Sequence, residues 1–277
     1  MRLEDLPPVR EALEAAGLGA RKRLGQHFLL DLNLTRKIAR LAGPLEGETV
    51  IEVGPGPGGL TRALLEAGAK VIAIEKDARF LPLLAEIGVR SDGRLQVLEA
   101  DALTVDETAL PPTAPIVANL PYNVASPLAV KWLTGPRRPT SMTLMFQKEV
   151  ARRLVAAPGS KDYGRLSVLA QALCEARIVL ELPARAFTPP PKVDSAVVRL
   201  LPRPDRPSDA QVAALQRVTQ AAFGQRRKML RSSLAALGGE ALCAAAGLDP
   251  AARAETLTVE SYLKLASRVE QTPPPPA

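Results

Sequence analysis

The sequence predicts an α/β fold built around a parallel β-sheet. Short runs of apolar and β-branched residues alternate along the chain with stretches of helical periodicity. A glycine-rich turn at 54–59 joins a predicted strand, 49–53, to a predicted helix, 60–67. Polar residues follow four of the predicted strands, and ligands bind at the carboxyl ends of the strands in open α/β sheets. We therefore expect a binding site along that edge.

The individual elements follow from local patterns. Gly43–Pro44 ends one predicted helix, and Ser126–Pro127 is typical of a helix start. The segment 202–207 contains three prolines and is predicted to be a linker, with helices after it. The predicted helices before the linker are 8–17, 32–42, 60–67, 78–87, 126–133, 147–156 and 166–174. The predicted strands are 49–53, 70–74, 95–98, 114–118, 140–146, 176–182 and 195–201.

The glycine turn predicts a site for an adenosine-containing cofactor. Gly54 and Gly56 let the backbone pass close to a nucleoside, and Glu52 lies just before them. About 20 residues after the turn, Glu75 ends the next strand, where a carboxylate can accept both ribose hydroxyls. Asp101 follows the third strand and can accept the adenine amino group. The turn lacks the Gly-Lys-Ser/Thr ending of an NTPase phosphate loop, and its spacing fits a dinucleotide fingerprint poorly, so pyrophosphate binding is the weaker alternative.

The tetrad Asn119-Leu120-Pro121-Tyr122 follows a predicted apolar strand. Pro121 has no N–H and disfavours helical geometry at Leu120, so the Leu120 carbonyl is free to point outward. That carbonyl and the Asn119 side-chain oxygen offer two acceptors to one amino group, while Tyr122 offers a stacking face. This arrangement suits the exocyclic amine of a base. The alternative is a strand-to-helix turn that contains Asn and Pro by chance.

A proline-stiffened loop at 187–194 separates the last two predicted strands. It begins with Phe187. This ring could be a second stacking surface for a base that has left its helix, or it could be a core phenylalanine.

Composition limits the class of protein. The chain has 277 residues, and its two cysteines, Cys174 and Cys243, lie in apolar segments, so we expect core thiols rather than a disulfide. Because His27 is the single histidine, we expect no metal site. The chain has no apolar run of membrane-spanning length, and residues 1–5 do not resemble an apolar signal region. We therefore expect a cytoplasmic protein without a membrane partner.

Positive charge is concentrated towards the C-terminus. Residues 183–277 carry 13 basic and 8 acidic side chains, whereas residues 1–182 carry 23 and 21. This distribution favours a polyanionic partner such as RNA, with a soluble basic surface as the alternative. Three groups are candidates for phosphate contact: the basic stretch that contains Arg23, the predicted helix with Lys148, Arg152 and Arg153, and the cluster Arg226, Arg227 and Lys228. For the basic stretch the alternative is a solvated linker, and for the helix it is a solvated helix face.

Five segments of the chain resemble the ribosomal RNA adenine N6-dimethyltransferases, most closely the KsgA type that acts on the small ribosomal subunit. The similarity runs from about Arg21 to Arg268. One departure is His27, where these enzymes often have Asn, and it affects cofactor affinity only if the side chain rather than the backbone makes the contact. The five segments are Gly25–Leu29 (GQHFL), Glu52–Gly56 (EVGPG), Asn119–Tyr122 (NLPY), Phe187–Val198 (FTPPPKVDSAVV) and Phe223–Lys228 (FGQRRK).

The resemblance implies a Rossmann-like class I methyltransferase domain with a seven-stranded sheet and a small all-helical C-terminal domain. We place the first domain at 1–203, including an N-terminal arm at 1–30 that would close over the cofactor. The helical RNA-binding domain would occupy 204–270, and 271–277 would be a disordered tail.

The resemblance also implies the reaction. Methyl groups from S-adenosyl-L-methionine would be transferred to N6 of two adjacent adenosines near the 3′ end of 16S rRNA during small-subunit biogenesis, leaving S-adenosyl-L-homocysteine. The residues expected around the target base are Asn119, Leu120, Pro121, Tyr122 and Phe187. Those expected to contact the cofactor are Gln26, His27, Leu29, Glu52, Gly54, Gly56, Glu75, Lys76, Asp101, Ala102 and Asn119.

Two other functions stay open at this point. One is a large-subunit adenine methyltransferase of the Erm resistance type, although Leu120 and the Phe223–Lys228 segment favour the small-subunit enzyme. The other is an RNA-binding ribosome-assembly factor in which catalysis is secondary. We expect a monomer that binds the small ribosomal subunit and its rRNA.

Overall fold

The structure is a computed structural model that describes residues 2–225 and 227–271, without the side chain of Lys22. The expected phosphate contact of Arg226 and the expected disorder of the tail after Gln271 lie outside these residues. The strands are β1 (Phe28–Leu29), β2 (Thr49–Val53), β3 (Lys70–Glu75), β4 (Leu95–Glu99), β5 (Ile116–Asn119), β6 (Met142–Gln147), β7 (Cys174–Leu182), β8 (Phe187–Thr188) and β9 (Ser195–Pro202). The helices are α1 (Val9–Ala15), α2 (Leu32–Leu41), α3 (Gly59–Glu66), α4 (Leu81–Val89), α5 (Tyr122–Thr134), α6 (Lys148–Val155), α7 (Arg165–Leu173), α8 (Asp209–Gly224), α9 (Leu230–Ser233), α10 (Gly239–Ala245) and α11 (Val259–Glu270).

Within the described chain, seven strands form one sheet in the order β4-β3-β2-β5-β6-β9-β7. The first five of these run parallel to their neighbours, and β9 runs antiparallel to β6. The register places Glu75 beside Glu99 and Asn119 beside Met145, so the polar ends of the parallel strands share one edge. The predicted α/β fold with a seven-stranded sheet is therefore confirmed.

The central strands are apolar because helices and loops cover both faces of the sheet. In β5 and β6 every residue is buried except the last of each strand, Asn119 and Gln147. Helix α3 is buried from Gly59 to Leu65 and packs against α2 and β3. The sheet edge that carries the polar residues is thus held by a rigid core.

The chain divides into two compact units. The first comprises the chain up to Trp132, together with Pro136–Ala151 and Arg177–Leu201. The second comprises Leu133–Gly135, Arg152–Ala176 and the chain from Pro202 onward. Within the second unit, α8 packs against α11, and the ring of Phe223 lies 6.1 Å from that of Tyr163 and 5.6 Å from that of Tyr262.

Two local features differ from the sequence prediction. A short antiparallel ribbon pairs β1 with β8, joining the arm to the start of the proline-rich loop. Helix α5 begins at Tyr122 rather than at Ser126, so Pro127 lies inside the helix. The earlier start follows from the hydrogen bond of 3.1 Å from Val124 N to the Pro121 carbonyl, which turns the chain immediately after the tetrad.

No helix among residues 2–225 and 227–271 is long and apolar enough to cross a membrane. Over the same residues, no three His, Cys, Asp or Glu side chains converge in a way that could hold a metal ion.

Candidate active site

One cavity in the first unit lies at the carboxyl ends of β2, β3, β4 and β5. Every residue predicted to contact the cofactor lines it, and so do all four residues of the tetrad. The strands β2 and β5 are direct neighbours, which places the glycine turn beside the tetrad. Phe187 and the predicted RNA-contacting residues are not part of this lining.

The glycine turn forms one wall of the cavity. Gly54 and Gly56 have φ values of 69° and 53°, a backbone conformation that residues with a side chain rarely adopt. A Cβ on Gly56 would lie 3.4 Å from the Phe28 ring, so the turn packs tightly under the arm. The Gly56 N–H donates a 2.9 Å hydrogen bond to Glu75 Oε2, which ties the turn to the end of β3.

Glu75 is a buried carboxylate at the end of β3. It accepts hydrogen bonds from the backbone N–H groups of Gly56 and Asp77, at 2.9 and 2.7 Å. Burial raises its pKa, and these two hydrogen bonds oppose that rise. A carboxylate fixed in this way presents a preorganised acceptor to a ligand diol.

Glu52 is the most unusual group in the cavity. Its side chain is 1% exposed, and Oε2 has no hydrogen-bond partner among the described residues. Burial raises the Glu52 pKa to about 8; the nearby Thr61 opposes this rise, and the charge of Glu75 adds to it. A buried acceptor without a donor is costly, so this atom is suited to a donor or a cation supplied by a ligand.

Asp101 lies beyond the end of β4. Its Oδ2 pairs with the Lys76 ammonium at 2.6 Å, and its Oδ1 accepts from Leu103 N at 2.9 Å. The hydrogen bond from Lys76 is the main cause of its lowered pKa. Asp101 is therefore an ionised acceptor at the rim, next to Ala102, which also lines the cavity.

The tetrad closes the site at the end of β5. The Asn119 amide nitrogen donates to the His27 carbonyl at 3.4 Å. Because the amide group is planar, its oxygen then points away from His27. In the described chain, no backbone N–H donates to the Leu120 carbonyl. The Tyr122 hydroxyl lies 2.5 Å from Ser195 Oγ. Asn119 Oδ1 and the Leu120 carbonyl are thus the candidate acceptors beside this aromatic ring, and Leu120 as a whole is 1% exposed.

The arm crosses the cavity and is anchored on both sides. Phe28 and Leu29 pair with Thr188 and Phe187, while Gln26 Nε2 donates to Asp77 Oδ2 at 3.0 Å. Leu29 is 5% exposed and lines the cavity from the arm.

Phe187 does not lie where a stacking surface was expected. Its ring is 3% exposed and belongs to the hydrophobic core with Leu29. In this arrangement it has the core role that was the alternative, because a buried ring has no free face.

The predicted RNA-contacting residues of the described chain differ in their exposure. Arg23, Arg152, Arg227 and Lys228 are exposed. Lys148 is half-buried and its ammonium pairs with Glu181 at 2.6 Å, so this lysine is already engaged. Arg153 is exposed and lies on α6.

Sequence reasoning missed two residues that support the site, Asp77 and Ser195. Asp77 is 6% exposed and anchors Gln26, and Ser195 contacts the Tyr122 hydroxyl. A second acidic residue two positions after Glu75 was a signal for the first. Ser195 could not be paired with Tyr122 without the strand order that brings β9 beside β6.

Comparison with known proteins places this geometry in a family. The family described as "Ribosomal RNA adenine dimethylase" matches residues 17–271. A Phenylobacterium zucineum protein named "Ribosomal RNA small subunit methyltransferase A" is 66% identical over 96% of this chain and 94% of its own length. A Caulobacter vibrioides protein of the same name is 67% identical over 89% of this chain and 96% of its own length.

Two solved structures of RNA methyltransferases are also similar to this chain. A dimethyladenosine transferase from Plasmodium falciparum superposes with a TM-score of 0.73 and 28% identity, over 86% of this chain and 96% of that one. The 23S rRNA methyltransferase ErmE has a TM-score of 0.64 and 29% identity, over 88% of this chain and all of that one.

Proposed function

Because the chain belongs to the ribosomal RNA adenine dimethylase family, we propose that it methylates N6 of two adjacent adenosines in the 3′-terminal hairpin loop of small-subunit rRNA, giving N6,N6-dimethyladenosine. The family that the sequence resembles is confirmed, and with it the expected class of enzyme. The observation that carries the detailed proposal is the position of Asn119 and Leu120 in the lining of the cavity that holds Glu52 and Glu75.

S-adenosyl-L-methionine fits the residues of this cavity. The unpartnered Glu52 oxygen and the second carboxylate, Glu75, favour a ligand with positive charge and hydroxyl donors. We assign the ribose hydroxyls to Glu75 and the adenine amine to Asp101. Gly54 and Gly56 let the backbone approach closely. When bound, the cofactor supplies an electrophilic methyl group on a sulfonium.

The protein's part in the reaction is to hold the target amine. The lone pair of an adenine N6 is shared with the purine ring. Hydrogen bonds from the amine to Asn119 Oδ1 and the Leu120 carbonyl would favour a pyramidal nitrogen that concentrates this lone pair. Tyr122 would hold the flipped base by stacking, which contributes about 1 to 3 kcal/mol per base. Asn119 is neutral and so does not act as a general base; the proton leaves to water after the methyl group has been transferred.

The small-subunit substrate is favoured over the large-subunit one by the comparisons. Relatives named for the small subunit are 66% and 67% identical, whereas the Erm protein is 29% identical. We propose that the protein acts as a monomer on the small ribosomal subunit, in the cytoplasm, with the exposed Arg227 and Lys228 gripping phosphate without reading sequence.

The test is methyl transfer from labelled S-adenosyl-L-methionine to small subunits that lack this dimethylation, with large subunits and naked rRNA in parallel. We expect label on adenosine in small subunits, approaching four methyl groups per particle because each of two adenosines takes two. Label confined to large-subunit RNA would overturn the substrate. Binding to small subunits without label would instead favour an assembly factor.

A further inference from the structure

His27 contacts three different parts of the site. Its carbonyl accepts from Asn119 Nδ2 at 3.4 Å. Its ring stacks on Tyr122, with centroids 5.4 Å apart and an interplanar angle of 27°. Its Nδ1 lies 2.8 Å from the Pro189 carbonyl, and since a carbonyl only accepts, Nδ1 carries the proton in this contact. The side chain therefore joins the tetrad to the loop after β8.

The stacking contact limits the motion of Tyr122. The Tyr122 hydroxyl is held by Ser195 at one end of the ring, and the imidazole covers one face. A target base would then use the opposite face. With the ring held at the hydroxyl and at one face, its angle is set before a base arrives, which lowers the ordering cost of binding.

The carbonyl contact fixes Asn119 in a similar way. A planar amide whose nitrogen faces His27 directs its oxygen away from the arm. The bond from the imidazole to Pro189 is a further contact that holds the residue carrying this carbonyl. One side chain thus influences both the acceptor for the amine and the stacking surface for the base.

We propose that His27 is a positioning residue for the target base, acting through Tyr122 and Asn119, and that its side chain does not bind the cofactor. This inference rests on the proposed function. Of the two contacts with the cofactor left open for His27, through the backbone or through the side chain, it selects the backbone. The imidazole is directed to Tyr122 and Pro189 rather than to Glu52 or Glu75.

Three variants separate the two contacts of the imidazole. His27→Ala removes both, His27→Phe keeps only a stacking ring, and His27→Asn keeps only a donor. We expect all three to bind S-adenosyl-L-homocysteine within about twofold of the native protein in calorimetric titration. For methyl transfer to small subunits, we expect His27→Ala to lower kcat by about 10- to 100-fold, as for a misplaced reacting group. His27→Phe and His27→Asn should each recover part of this loss.

A second readout does not depend on methyl transfer. Of the chain's three tyrosines, Tyr163 and Tyr262 are 0% exposed, so nitration by tetranitromethane reports on Tyr122 in the folded protein. We expect faster nitration of Tyr122 in His27→Ala and protection close to native in His27→Phe, with unchanged thermal unfolding in both.

The outcomes are distinct. A tenfold loss of S-adenosyl-L-homocysteine affinity in His27→Ala would make the side chain a cofactor ligand and overturn the inference. Native kcat and native nitration in His27→Ala would also overturn it. If the native protein transferred no methyl group to either subunit, the proposed function would fail, while the nitration result would still show whether His27 covers Tyr122.

Discussion

The amide nitrogen of Gln26 lies 3.0 Å from Asp77 Oδ2 and donates a hydrogen bond that holds the arm to the end of β3. Asp77 also pairs with Arg79 at 2.5 Å, and Arg79 donates to the Gly19 carbonyl at 3.2 Å. The hydrogen bond from Arg79 is the largest of the effects that lower the Asp77 pKa to about 2. Asp77 thus stays ionised and available to the arm at any pH at which the protein would be assayed.

We expect Gln26→Ala to speed dissociation of S-adenosyl-L-homocysteine. A hydrogen bond to a charged group contributes about 1.5 to 3 kcal/mol, so the arm should open about 10- to 150-fold more readily. Stopped-flow displacement measures the rate. Gln220→Ala, which removes an exposed amide from α8, is the matched control. An unchanged rate in Gln26→Ala would mean that the arm does not retain the cofactor.

Asn119→Ala should abolish most methyl transfer while cofactor binding is partly kept. The variant removes one of the two acceptors for the target amine, and losing one preorganised polar group of this kind costs on the order of 100-fold in kcat. Single-turnover transfer to small subunits measures the effect, with Asn33→Ala on the exposed side of α2 as control. Near-native transfer by Asn119→Ala would exclude the assigned role.

Glu52→Gln should stabilise the cofactor-free protein increasingly as the pH rises. In the fold, burial raises the Glu52 pKa from 4.5 to about 8. The contribution of Glu52 to the free energy of unfolding is therefore fully present below pH 4.5, where the group is neutral in both states, and is lost as the pH rises through about 8. Glutamine carries no such dependence. Urea unfolding at pH 5 and pH 8.5 should show a larger gain at the higher pH, whereas the exposed control Glu11→Gln should show none. A gain that is equal at both pH values would mean that Glu52 titrates normally.

Gly58→Ala should destabilise the fold more than Gly47→Ala. Both glycines have positive φ, 85° and 74°, so alanine is strained at each by about 1 to 2 kcal/mol. Of the two, only at Gly58 would the new Cβ clash with a neighbour, the Cδ1 atom of Ile87, whereas nothing lies within 4 Å at Gly47. Overpacking should add about 1 to 3 kcal/mol to the loss at Gly58. Chemical unfolding of both variants measures the loss in free energy of unfolding, and the difference between them is the effect of the contact with Ile87. Equal losses in the two variants would contradict this prediction.

Replacing Arg227 and Lys228 by Ala should weaken RNA binding without changing which RNA is preferred. Each lost phosphate contact should reduce the slope of log affinity against log salt by about 1. Filter binding across a salt series measures that slope. Lys264→Ala, an exposed lysine of α11 with 58% of its side chain accessible, is the control. A slope equal to that of the native protein would place the phosphate contacts elsewhere.

The sheet and the contents of the cavity could be predicted because they depend on local patterns. A polar residue after an apolar strand must lie at the strand end, and parallel strands bring these ends to one edge. That is why Glu52, Glu75, Asp101 and Asn119 all line one cavity. The expected elements at 32–42 and 195–201 correspond to α2 and β9 for the same reason.

The contacts between the arm and the rest of the site could not be predicted, because they join residues far apart in sequence. The pairing of β1 with β8 involves strands of two residues each, which are too short for any periodicity. The burial of Phe187 follows from that pairing. From the sequence alone, a phenylalanine at the start of a proline-rich loop is compatible with both a core role and a stacking role.

The pairing of Phe28 with Thr188 also fixes when the site can close during synthesis. Phe28 precedes its partner Thr188 by 160 residues and therefore emerges from the ribosome long before it. A growing chain can therefore build the first strands of the sheet, but its arm has no partner strand until β8 has emerged. Truncated chains that end before this point lack the closed cavity. Completion of the site is thus a late step of biosynthesis, set by contact order rather than by the stability of any one element.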